Sequence, residues 1–272
     1  MNTEKLLNPR AAALCLALAF ALCAAPRALA QADDRAGAKT AAAAAAAGTP
    51  TEVVRAFYTA LREARFRDAL LMSVYRPAIE SLSAAEVEEL RPDFERIAAQ
   101  VPPDFDFTGE QVSGEEATVF MKTGEEKDVK VEPVFLLRGP GGAWVVGDRE
   151  AAAEVKKQGK KFFFEQRIAA HEQDAEDMLK RIQAAQIAYS LQNGGLYGDL
   201  DALVRAGYVP QDILGTETTG YRFTVTTTAD RKSFAARAEP ARHNRSGRLS
   251  FYMDKSGIQK KDAGGKPLSP PR

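Results

Sequence analysis

An apolar stripe in the middle of the chain limits the possible folds more than any other feature. Ile168, Ala175, Leu179, Ile182, Ala185 and Tyr189 recur in helical steps that place side chains on one face. Asn193-Gly194-Gly195 follows, with residues that tolerate positive φ and stop helices. Beyond it come short alternating segments: Tyr221, Phe223 and Val225, then Ser233 to Ala238, then Leu249, Phe251 and Met253, with turn chemistry at Asp254-Lys255-Ser256-Gly257. A helix that must bury one face, followed by strands that must bury one face each, predicts a helix packed on an antiparallel sheet.

The first half shows the same order. Thr49-Pro50-Thr51-Glu52 carries a capping pattern with proline in the first turn. The helix it opens buries Val54, Phe57, Tyr58 and Leu61. Two further helical segments run through Leu70, Leu71 and Val74, and through Val87, Leu90, Phe94 and Ile97, ending at Val101-Pro102-Pro103. The period then changes to two. Ala117, Val119 and Met121 alternate with Thr118, Phe120 and Lys122, and Thr123-Gly124-Glu125-Glu126 reads as a hairpin turn. In the return strand Val129, Val131, Phe135 and Leu137 share one face, with Asp128, Lys130 and Glu132 on the other. The fold class is therefore α+β in two domains, which 272 residues can accommodate.

The two cysteines, Cys15 and Cys23, both lie in an N-terminal apolar run. Lys5 and Arg10 precede that run, and Ala28-Leu29-Ala30 follows it with small residues suited to cleavage. Pro26 and Arg27 end the run short of the roughly 20 residues a membrane anchor needs. Residues 1–30 thus read as a cleaved signal peptide and 31–48 as an Ala-rich disordered spacer. The mature protein is expected to be periplasmic or secreted, with no stable membrane insertion and no cysteine. Lys+Arg and Asp+Glu both count 37, so no net field steers the chain to nucleic acid.

Residues 49–149, through "VVRAFYTALREARFRDAL" and the closing "WVVGD", resemble the nuclear transport factor 2-like (cystatin-like cone) superfamily. The resemblance implies a curved sheet around a helix and a small pocket lined by Phe57, Tyr58, Tyr75, Phe120, Phe135 and Trp144. As apolar residues alone, the same side chains more commonly fill a core. Enzymatic members carry acid–base groups inside the cone, and this stretch has no histidine; Asp68 and Tyr75 are what remains for such a role.

Residues 150–175 are expected to form a connecting helix, with the basic run Lys156, Lys157, Lys160 and Lys161 as a solvated face beside Phe162-Phe163-Phe164. Residues 176–262, in the order "IQAAQIAYSLQNGGLYGDLDALVRAGYV", "GYRFTVT" and "GRLSFYMDKSGIQ", resemble the globular headpiece of type IV pilin-like proteins and type II secretion pseudopilins. Subunits of that family have an apolar membrane helix where this chain has a charged helix and a preceding domain, so the resemblance implies a headpiece without a filament spine. Residues 263–272 are Gly- and Pro-rich and read as a disordered tail.

Nothing in the spacing supports a catalytic triad, a P-loop or a metal site. His171 and His243 lack ordered acid partners, and Asp254 alone falls far short of the roughly six to eight oxygens calcium takes. No cofactor is expected. Arg237, Arg242, Arg245 and Arg248 crowd one region and are the candidate partner-binding residues, with pairing to Glu239 as the plainer alternative. The function expected is non-catalytic: contact with an envelope protein partner, in association with secretion or pilus machinery. The alternatives are a small-molecule binder using the first domain's pocket and, third, a cone-type hydratase or isomerase.

Overall fold

Thr49 fixes where the first helix begins. Its side chain accepts the Glu52 N–H while the Glu52 carboxylate accepts the Thr49 N–H, satisfying two of the unpaired donors at a helix start. Helix α1, Pro50–Arg62, buries Val53, Val54, Phe57, Ala60 and Leu61. The computed structural model describes residues 48–124, 129–216 and 218–269. The expected signal peptide, all but the last residue of the spacer, and the turn residues Glu125 and Glu126 lie outside the described residues.

Helices α2 (Phe66–Leu71), α3 (Arg76–Glu80) and α4 (Ala84–Ala98) follow, α4 opening with a second capping box between Ser83 and Glu86. Strands β1 (Asp106–Ser113), β2 (Glu116–Thr123), β3 (Lys130–Arg138) and β4 (Trp144–Val146) form an antiparallel sheet in that order. Helix α1 packs on this sheet against β1, β2 and β4. Ala117, Val119 and Met121 are buried on β2, as their alternation predicts.

β3 corrects an expectation. Val131, Phe135 and Leu137 do share a face, but the residues it buries are Val134 and Leu136, and Val131 is 53% exposed. Register decides this. Val119 pairs with Val134 and Ala117 with Leu136, and directly opposed residues in an antiparallel pair point to the same side. The face of β2 that meets α1 therefore selects the even-numbered residues of β3.

The segment expected as one connecting helix is divided. Asp148 caps α5 (Arg149–Gln158), and Gly159, at φ 53°, breaks it into a 3-10 turn, Gly159–Lys161. Lys157 pairs with Glu154 and Lys160 with Glu86, so part of the basic run is neutralised locally. Phe162 and Phe163 enter an aromatic cluster with Tyr75 and Phe94. The chain separates into two compact units, one ending at Phe163 and one beginning at Phe164.

In the second unit the stripe behaves as its spacing requires. Helix α6, Phe162–Gln192, whose first two residues belong to the first unit, buries Ile168, Ala175, Leu179, Ile182 and Ala185. Gly194 and Gly195 adopt positive φ, and the Gly195 N–H bonds back to the Ser190 carbonyl, closing the helix in a Schellman-like manner. Helix α7 (Leu200–Arg205) and a 3-10 turn (Gln211–Leu214) lead to the antiparallel sheet β5 (Tyr221–Thr227), β6 (Phe234–Pro240), β7 (Leu249–Asp254) and β8 (Gly257–Asp262), in chain order. Leu179, Ile182, Leu203, Tyr221, Phe251 and Met253 lie in its core. Gln186 is fully buried there and its amide brackets Gly198, donating to the carbonyl and accepting the N–H. Of the tail, residues 263–269 are described, and the Leu268 carbonyl accepts a bond from Arg237. That contact ties the described part of the tail to β6. No helix among the described residues is long and apolar enough to cross a membrane.

Candidate functional site

Arg55, Tyr58 and Arg62 stand three and four residues apart on α1, so they form one stripe beside the buried one. The chain passes this stripe again through Phe105 and Phe107 as it enters β1. The two phenylalanine rings stack with centroids 6.2 Å apart, and Tyr58 lies 5.7 Å from Phe105. Each guanidinium rests on a ring: Arg62 at 5.5 Å from the centroid of Phe105 and Arg55 at 4.7 Å from that of Phe107. Both arginines are exposed and the three rings are half-buried. A cation–π contact of this kind holds a guanidinium near a ring without using its N–H donors.

What separates these two arginines from their neighbours is the lack of any acceptor among the described residues. Arg65, Arg91 and Arg149 each meet a carboxylate, and Arg67, Arg76 and Arg138 reach backbone carbonyls. Arg55 and Arg62 do neither among the described residues. Glu110, on β1, is already bound to the Thr51 N–H and hydroxyl. Burial, with the Glu132 carboxylate adding to it, pushes the Tyr58 phenol up to about 12. Tyr58 therefore stays protonated near neutral pH and can donate a hydrogen bond but not act as a base.

An open groove of about 420 Å³ adjoins this shelf and shares Arg62 with it. Leu61, Phe66, Ala98, Val101 and Pro103 give it apolar walls, with Glu95 as a second charged residue. Ala64 also lines it, at φ 56° in the turn between α1 and α2. A non-glycine residue in that region carries local strain, and such strain gathers at binding sites.

The six residues expected to line a pocket are not gathered into one. Phe57, Tyr75 and Trp144 are 4%, 7% and 5% exposed and belong to the core. Phe120 and Phe135 lie on the sheet face opposite the buried Val119 and Val134. Tyr58 alone reaches the shelf, and none of the six lines the open groove.

The arginines expected to meet a partner are occupied in holding the second unit together. Arg248 bonds to Glu165 and Asn244, Arg237 to the Leu268 carbonyl with its guanidinium over Tyr252, and Arg245 stacks 4.2 Å from Phe164. The backbone of Arg242 closes a turn with Ser246. Glu239 is 6% exposed; desolvation raises its carboxyl pKa against the opposing pull of Arg237 and Arg222.

Both histidines join the same corner. A carbonyl only accepts, so the 3.0 Å contact between His171 Nδ1 and the Ser246 carbonyl places the proton on Nδ1. His243 Nε2 contacts Asp262 at 2.9 Å. Glu172 Oε1 accepts the N–H groups of Arg248 and Leu249, fastening the start of β7 to the helix. No group of His, Cys, Asp or Glu suited to a metal occurs among the described residues.

Sequence reasoning missed Arg55, Arg62, Phe105 and Phe107. The one available signal was the interleaving of arginine and tyrosine at helical spacing in Arg55-x-x-Tyr58-x-x-x-Arg62. Comparison of the chain with protein-family models, with curated proteins and with solved structures finds no match.

Proposed function

We propose that the chain is a non-catalytic exported protein that holds a partner protein in the cell envelope, and that the contact is made at the Arg55–Tyr58–Arg62 shelf. One observation carries this reading: two exposed guanidiniums, fixed on aromatic rings, have no carboxylate among the described residues and border an open apolar groove. Arginine and aromatic side chains are the types that dominate interface energetics. The shelf offers two positioned guanidinium donors, which suits recognition of an anionic group on a partner. The headpiece resemblance of the second unit is the reason to look first among secretion and pilus components.

The test is photo-crosslinking from position 63, an exposed site next to Arg62, in the cell envelope of the native host. Captured neighbours are identified by mass spectrometry in the wild type and in an Arg55→Gln/Arg62→Gln double variant. A discrete captured protein whose yield falls in the double variant supports the reading. An identical capture profile in both would sink it.

A further inference from the structure

We propose that the occupant of the shelf is an acidic segment in the polyproline II conformation, with two carboxylates three residues apart, one for each guanidinium. This rests on the reading of the shelf as a partner-docking surface. The argument is one of charge and spacing. Arg55 and Arg62 are seven residues apart on one helix, which places their Cα atoms about 10 Å apart along its axis. A polyproline II segment turns once every three residues and rises roughly 9 Å in doing so, so side chains at i and i+3 point the same way at a matching distance. A β-strand fits worse, since its same-side residues come at about 7 Å and then about 13 Å.

The surface between the two charges favours the same conformer. It is made of flat rings: Tyr58 against Phe105, and Phe105 stacked on Phe107. Aromatic-lined surfaces accept polyproline II segments, which enter with little conformational entropy to lose. Here the guanidiniums lie over Phe105 and Phe107, so proline rings would pack on the half-buried Tyr58 and on the arginine and ring edges. An acidic α-helix with carboxylates at i and i+7 would match the charge spacing too. It would also require an apolar trough along its length, whereas here the groove lies to one side of the shelf, beyond Arg62.

The experiment measures fluorescence anisotropy of labelled peptides with the purified mature chain. One peptide carries Asp at i and i+3 in a proline-rich frame. Controls carry Asp at i and i+2, Asn for Asp at i and i+3, and Glu at i and i+7 on an Ala-rich helix. The i,i+3 peptide is expected to bind at least about tenfold tighter than every control, since each charge-assisted contact is worth about that factor or more. Arg55→Gln and Arg62→Gln should each weaken it by a similar factor, and added salt should weaken it further. Both variants lie on an exposed stripe, and an unchanged melting temperature shows that the loss is not unfolding.

Equal binding of the i,i+2 peptide, or tighter binding of the helical one, overturns the conformational proposal. If that binding still needs Arg55 and Arg62, the docking surface stands without it. Complete displacement by inorganic phosphate at matched charge would mark a simple anion site and overturn the proposal as well. If no acidic peptide binds, crosslinking separates the cases. Arginine-dependent capture in the envelope keeps the docking reading with another occupant; arginine-independent capture ends both.

Discussion

The two groups of arginines in this molecule look alike in sequence and differ in what they do. Those from Arg237 to Arg248 are crowded, and crowding suggests a binding patch. In the fold, Arg237, Arg245 and Arg248 are taken up by Leu268, Phe164, Glu165 and Asn244, and the backbone of Arg242 closes the same corner. Arg55 and Arg62 are exposed members of an ordinary amphipathic pattern, yet among the described residues they alone in their unit have only a ring beneath them. Density of charge along the chain is thus a poor guide to availability. The better guide is which charges the fold has left without a counter-charge.

If the second unit's corner is structural, its tightest points should fail first. Gly220 has φ +66°, and a Cβ there would sit 2.2 Å from Nδ1 of the buried His171. Gly220→Ala should therefore cost about 3 kcal/mol, from backbone strain and overpacking together. In a unit of this size that is a fall in melting temperature of roughly 12 °C or more, with peptide binding at the shelf unaltered below the transition. Glu172→Ala comes next. It leaves the N–H groups of Arg248 and Leu249 without their acceptor, at about 2 kcal/mol in denaturant melts. Glu172→Gln keeps an amide oxygen in place and should recover most of that loss. If neither glycine nor glutamate matters, the corner is not what holds the sheet to its helix.

The shelf should answer in the opposite way. Arg55→Gln or Arg62→Gln removes one exposed cation–π contact, so each should change stability by less than about 1 kcal/mol. Arg248→Gln, which loses Glu165 and Asn244, should cost more, about 1–2 kcal/mol in the same melts. A larger loss for Arg62→Gln than for Arg248→Gln would reverse the comparison and make the shelf part of the scaffold.

Sequence patterning captured the scaffold better than the site, for physical reasons. The stripe from Ile168 to Tyr189 was legible because one helix buries one face, and period alone reports that. The strands Tyr221–Thr227 and Leu249–Asp254 were legible for the same reason at period two. The buried face of β3 was not. Its odd-numbered positions are apolar but outward, and only pairing with β2 reveals that Val134 and Leu136 are the buried ones. The shelf depends on contacts across the chain, bringing positions 55–62 to positions 105 and 107. No local pattern encodes that meeting. The aromatics named from resemblance were mostly too well packed to serve as a pocket: Phe57, Tyr75 and Trp144 were correctly picked as large apolar residues and are core.

The smallest effect expected is one of pH, and it separates the two groups by sign of charge rather than by size. The Gly264 N–H first, and His243 second, hold the Asp262 carboxyl below its ordinary pKa. A folded-state pKa that is depressed contributes stability above the unfolded value of about 3.9, and that contribution is lost as pH falls through the folded value. Wild type and Asp262→Asn should therefore differ in denaturation midpoint near pH 6, and the gap should close as pH drops below about 4. Arg55 and Arg62 lean on no carboxylate among the described residues, so Arg62→Gln should show a pH-flat difference in stability. Loss of acidic-peptide binding in the same window would then come from protonation of the peptide. A gap at Asp262 that does not narrow at all as pH falls from 6 through the acid range would mean the carboxylate charge adds nothing to the corner, and that its contacts matter for shape alone.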